Sequence, residues 1–113
     1  VLRRARWLEP SSNEEQLVRG DIRVDMERHL VTVKDSPVEL TPTEFNLLVY
    51  LLKHAGRVLS HRVILQNVWG MEYGNEAEYL RVYIGRLRQK IEVDALNPRH
   101  LFTEHGMGYR FEG

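Results

Sequence analysis

The stretch Tyr79-Leu80-Arg81-Val82-Tyr83-Ile84-Gly85-Arg86-Leu87-Arg88-Gln89-Lys90-Ile91 decides how this chain folds. Advancing 100° per residue from Leu80 brings Leu80, Ile84, Leu87 and Ile91 within about 60° of arc, the strip that a helix turns toward a core. The opposite side then holds Glu78, Val82, Gly85, Arg86 and Gln89, with Arg81 and Arg88 on one flank and Tyr79 and Lys90 on the other. From Tyr79 to Ile91 there are four basic residues and no acidic one, in a chain whose 16 Lys and Arg balance 16 Asp and Glu. A local charge of +4 in a neutral molecule is the anomaly to explain.

Working outward, Asn75 with Glu78 three residues on is the expected start of this helix, and it should run to about Glu92. Before the Gly70–Gly74 loop, Ser60 is the expected N-cap of a shorter helix with Val63, Ile64, Leu65, Val68 and Trp69 on its apolar face. Further back, Thr41-Pro42-Thr43-Glu44 combines a Thr cap, Pro at the first helical position and Glu three residues after the cap. Phe45, Leu48, Leu52 and Ala55, widened by Leu47 and Leu51, make that first helix mostly buried, and Gly56 suits its end. From Leu17 to about Leu40, Ile22 and Val24 alternate with Arg23 and Asp25, and Leu30-Val31-Thr32-Val33 favours strand; breaks are expected at Met26-Glu27-Arg28 and Ser36-Pro37. On the other side, Leu101-Phe102-Thr103 and Tyr109-Arg110-Phe111 flank a Glu104–Gly108 tip with two glycines, a hairpin pattern. Sheet, three helices and hairpin make an α+β chain.

The 113 residues suit one domain with its own core, and the apolar 42 % and charged 28 % are globular values. No cysteine is present, which excludes disulfides, thiolate metal clusters and Cys nucleophiles. The longest apolar run, Leu47 to Leu52, is six residues, so no membrane span is expected. Residues 1–16, with Arg3, Arg4, Arg6 and Glu9-Pro10-Ser11-Ser12-Asn13-Glu14-Glu15, read as a linker from a preceding domain, leaving 17–113 as the folded unit. His29, His54, His61, His100 and His105 show no metal or triad spacing, Glu76 and Glu78 point different ways, and there is no Gly-rich phosphate loop; neither enzyme nor cofactor is expected.

A helix with an apolar back and a cationic front fits a DNA major groove, with flanking cations on phosphates and outward side chains at base edges. The short preceding helix completes a helix-turn-helix pair, and the glycine-tipped hairpin would form a wing beside it. Gly85 either permits close approach of backbone to DNA or is merely tolerated, and Val82 either meets a thymine methyl or is incidental. The rival reading is a winged helix used to bind protein, which has no need of an acid-free reading helix.

The segments Leu40–Leu48, Arg57–Ser60, Val68-Trp69-Gly70, Val82–Arg88 and Gly106–Phe111 resemble the effector domain of OmpR/PhoB-type response regulators, over about Val18 to Phe111. Tyr79–Lys90 with Asn97-Pro98-Arg99-His100 is most similar to the members that control a potassium-uptake operon. The resemblance implies a winged helix-turn-helix with an N-terminal four-stranded antiparallel sheet, three helices and a C-terminal β-hairpin wing, preceded by a phosphorylatable receiver domain. It implies that Arg81, Val82, Gly85 and Arg86 face bases or phosphates, and that Arg88 and Tyr109 meet the backbone or support it. Tyr79 joins this set, Arg62, Arg88 and Lys90 are expected on phosphates, and His105 in the wing is expected near backbone. Some relatives have arginine in place of Gly85, and many have it in place of His105, where a neutral imidazole is the weaker minor-groove probe. Met71-Glu72-Tyr73-Gly74 matches a loop that touches RNA polymerase. Implied partners are double-stranded DNA in direct repeats, the polymerase and a sensor kinase acting through the receiver, with weak self-association and a cytoplasmic location.

Overall fold

A computed structural model describes residues 16–112; of the linker expected over residues 1–16, all but Gln16, the first residue of a strand, lies outside them. Strands β1 (Gln16–Arg19), β2 (Ile22–Asp25), β3 (Leu30–Val33) and β4 (Ser36–Val38) form an antiparallel meander in that order. Alternation does its work in β2, where Ile22 and Val24 are fully buried opposite Val33 and Val31 while Arg23 faces out. At Met26–Arg28 the chain turns as expected, because the Asp25 carboxylate accepts the backbone N–H groups of Glu27 and Arg28 at 3.1 and 3.0 Å. The second expected break is displaced. Lys34 and Asp35, both at positive φ, make the turn, and Ser36-Pro37 belongs to β4, an edge strand where proline's missing donor is tolerated.

Helix α1 (Pro42–Lys53) begins as its sequence predicts. The Thr41 hydroxyl accepts from the Glu44 N–H at 3.2 Å and the Glu44 carboxylate accepts from the Thr41 N–H at 3.0 Å. Phe45, Leu47, Leu48, Leu51 and Leu52 are buried against the sheet and the later helices. A strand that the sequence reading did not contain, β5 (Val58–Ser60), follows, and Ser60 then caps α2 (His61–Val68) by accepting the Val63 N–H at 3.1 Å. Helix α3 (Ala77–Ile91) buries Leu80, Ile84, Leu87 and Ile91, the expected strip. Its N-cap is Glu76 rather than Asn75, because the Glu76 carboxylate folds back onto the N–H groups of Gly74 and Asn75 at 2.8 and 3.0 Å. Those two bonds, the Gly74 one first, hold the Glu76 carboxyl below its ordinary pKa. The hairpin β6 (Leu101–Glu104) and β7 (Gly108–Phe111) pairs through β7 with β5, so the wing is a three-stranded sheet ordered β5-β7-β6.

Glu44 also ties α1 to the far end of α3. Its side chain is 2 % exposed, and it accepts a hydrogen bond from Lys90 Nζ at 2.6 Å. Burial pushes its pKa up, but the bonds from Lys90 and Thr41 outweigh this and leave it below the usual carboxylate range. A folded-state pKa below the unfolded one gives stability that is complete above about pH 4.5 and is lost as pH falls through the folded value. Glu44→Gln should therefore cost about 2 kcal/mol at pH 7, and urea unfolding at pH 7 and pH 3 should show a smaller loss on acidification than in the parent.

Candidate nucleic-acid interface

With its apolar strip against the core, α3 offers its other side to solvent. Arg81 and Arg86 are exposed, Val82 is 50 % exposed and Tyr79 is 43 % exposed. Arg86 lies over the ring of Tyr83, 5.1 Å from its centroid, which limits the directions its guanidinium can take. Tyr83 in turn packs edge-on against Tyr79 and Trp69, with centroids 5.1 and 5.2 Å away, and Trp69 meets Tyr79 at 5.4 Å. A hydrogen bond with Tyr79 and partial desolvation hold the Tyr83 hydroxyl above its ordinary pKa. The sequence reading missed this aromatic triad; Tyr79 and Tyr83 at i, i+4 after Trp69 were its available signal.

Beside α3, the wing forms the second wall of a groove. Arg88 Nε donates to the Leu101 carbonyl at 3.0 Å, its Nη2 donates to Thr103 Oγ1 at 2.7 Å, and its guanidinium sits over the Tyr109 ring at 5.9 Å. Burial in that seam lowers the Arg88 pKa, opposed by Tyr109 and Glu92, and an arginine there remains charged. Tyr109 is 4 % exposed and burial raises its hydroxyl pKa, with Arg88 pulling the other way. His61 meets the Tyr109 ring edge-on at 5.4 Å. Tyr109 and Arg88 floor the groove, while Glu78, Arg81, His61 and the wing-tip His105 line its sides.

This geometry divides the expected contact residues. Arg81, Val82, Arg86 and His105 are presented outward, and among the described residues nothing outside the helix's own backbone lies within 4 Å of where a Cβ on Gly85 would stand. Arg88 and Tyr109 join helix to wing. Lys90, expected on phosphate, remains exposed and donates to Glu44. The +4 of the sequence thus reaches the outer face chiefly as Arg81 and Arg86, because the other two cations have internal partners 13 to 46 residues away. Arg62 on α2 donates to Asn75 Oδ1 at 3.3 Å and lies across the loop, where a Cβ on Gly74 would come within 2.6 Å of its Nη1. In that loop Met71 is 76 % exposed while Tyr73 packs against the core.

A helix pair whose second helix has a buried apolar strip and an open cationic side, flanked by a hairpin wing, defines a winged helix-turn-helix domain. The family described as "Transcriptional regulatory protein, C terminal" matches residues 35–111. The chain belongs to that family and is an effector domain of the OmpR/PhoB response-regulator type. It is 45 % identical over 97 residues to the sensory transduction protein RegX3 of Mycolicibacterium smegmatis, covering 86 % of this chain and 42 % of that protein. It is 47 % identical over 92 residues to the KDP operon transcriptional regulatory protein KdpE of Escherichia coli, covering 81 % of this chain and 41 % of that one. The chain thus spans less than half the length of these two relatives. Among solved structures it resembles the response regulator DrrB of Thermotoga maritima, with TM-score 0.79, 30 % identity and coverage of 88 % of this chain and 45 % of that one. It equally resembles the Klebsiella pneumoniae RstA DNA-binding domain in complex with the RstA box, with TM-score 0.79, 28 % identity and coverage of 87 % and 97 %. No helix among the described residues is long and apolar enough to cross a membrane.

Proposed function

We propose that this chain binds double-stranded DNA sequence-specifically and thereby controls transcription, acting by binding rather than by catalysis. The observation that carries the reading is the orientation of α3: Leu80, Ile84, Leu87 and Ile91 are buried, and Arg81, Val82 and Arg86 stand open beside the wing. In this reading Arg81, Val82 and Arg86 read the major groove, Arg62 and Tyr79 meet backbone at the edges, and Arg88 and Tyr109 hold the wing so that His105 reaches the flanking strand. Similarity to an RstA domain solved on its DNA box supports it. The finer reading follows the relatives: residues 1–16 are the end of a receiver domain, controlled by a sensor kinase, and its linker, two copies occupy direct repeats, and Met71-Glu72-Tyr73-Gly74 meets RNA polymerase in the cytoplasm. Similarity to the KDP operon regulator supports a potassium-uptake operon as the target.

Binding to duplexes chosen from a random pool tests the reading. Log affinity should fall with log salt at about −0.9 per phosphate neutralised, whereas a flat response would indicate a protein-binding module. Arg86→Ala should cost about 1 to 3 kcal/mol and relax preference at one base pair; a uniform loss across sequences would assign Arg86 to phosphate. Gly85→Ala separates packing from recognition. No atom among the described residues outside the helix's own backbone stands within 4 Å of an added methyl, so the domain should gain about 0.5 to 1 kcal/mol in thermal unfolding, while DNA affinity drops if backbone approaches DNA there.

A further inference from the structure

Glu78 is the only acidic residue in α3, and it stands in the first turn, on the side turned toward the groove. Its side chain is 83 % exposed and its described charged partner is Arg81, 3.6 Å away and 72 % exposed. A pair so open and so long contributes little to the fold, so both groups are available to a ligand. An acid in the first helical turn does favour the helix dipole, but that role needs no orientation toward the groove. Facing a polyanion, a carboxylate is repelled unless a donor meets it, and in the major groove the donors are base amino groups. Cytosine presents N4–H₂, beside the O6 and N7 acceptors of its guanine. Carboxylate next to guanidinium is the complement of that order.

Resting on the DNA-binding reading above, the geometry points to Glu78 and Arg81 reading a single C·G pair as one unit: the Glu78 carboxylate accepts from cytosine N4 and the Arg81 guanidinium donates to guanine O6 and N7. The unit has a direction. Reversing the pair to G·C would set the carboxylate against acceptors and the guanidinium against a donor, so this position fixes strand orientation as well as composition. Adenine N6, the other amino donor, is rejected by Arg81, whose partner would then be thymine, with one acceptor and a methyl group.

The test is selection from random duplexes with the parent chain, Glu78→Ala and Arg81→Ala, each checked for unchanged thermal unfolding, followed by affinity measurements on the selected site with C·G, G·C and A·T at the position in question. The expected result is that both substitutions relax the same base pair, Glu78→Ala reducing discrimination between C·G and G·C by about tenfold while leaving other positions as they were. Glu78→Ala that binds all duplexes more tightly with unchanged preferences overturns the proposal, since Glu78 is then only a repulsive charge. So does relaxation by the two substitutions at separate positions. A parent chain that selects no sequence overturns the DNA-binding reading and this proposal together.

Discussion

Gly108→Ala should lower stability by about 3 kcal/mol or more, a fall of about 12 °C or more in the unfolding midpoint of a domain this size. Two independent causes act at this position. Its φ is +152°, a conformation side chains rarely adopt, and a Cβ there would stand 1.9 Å from the Leu59 carbonyl oxygen. Backbone cannot yield as a flexible side chain does, so β5 would have to move away from β7. Because β5 runs directly into the Ser60 cap of α2, the damage spreads from the wing to the first helix of the reading pair. Gly106→Ala is the control. That residue also has positive φ, +76°, but among the described residues nothing lies within 4 Å of an added Cβ, so only the backbone term of about 1 kcal/mol should appear. Equal losses for the two variants would show that contact with β5 is not what Gly108 supplies.

The second large effect is expected at Glu92. This buried carboxylate follows α3 and accepts the backbone N–H groups of Arg99, His100 and Leu101 at 2.8, 3.0 and 2.8 Å. It closes the loop after the helix and delivers the chain to β6. Glu92→Ala leaves three donors without their acceptor in a partly enclosed site, and should cost about 3 kcal/mol. The local signature distinguishes this from general weakening: amide exchange should accelerate at Leu101 to Thr103, where Arg88 fastens the wing, before it accelerates in α1. Glu92→Gln retains an acceptor oxygen and should lose less. A Glu92→Ala variant as stable as the parent would show that water replaces the carboxylate without penalty.

How far these features could be read from sequence depends on how local their causes are. The capping box at Thr41 and Glu44 and the strip Leu80-Ile84-Leu87-Ile91 rest on neighbours within one or two turns, and both were legible. Strand β5 was not. Its three residues carry too little pattern, and their extension is imposed by β7, some fifty residues later. The same holds for charge. Counting Arg88 and Lys90 as cations of the outer face is sound helix geometry, yet Glu44 and the Leu101 carbonyl, brought close only by folding, claim both. Glu92 read simply as the end of a helix, because its three donors lie seven to nine residues ahead in a loop without periodicity. For the interface, outward exposure of Arg81, Val82 and Arg86 followed from the periodicity of α3, whereas the stacking that steers Arg86 required knowing where Trp69, Tyr79 and Tyr83 converge.

The fastenings on α3 are unevenly distributed. Arg88, Lys90 and Glu92 moor its final turn to the wing, to α1 and to the following loop, whereas its opening residues have no side-chain bond at the cap. The helix is therefore pinned by directional bonds at one end and held at the other by packing, with Leu80 in the core and Tyr79 against Trp69. Only the exposed side chains of Glu78 and Arg81 are unfastened in the first turn, so adjustment to a mismatched operator would fall on them and leave the helix, and the hairpin attached to its far end, in register.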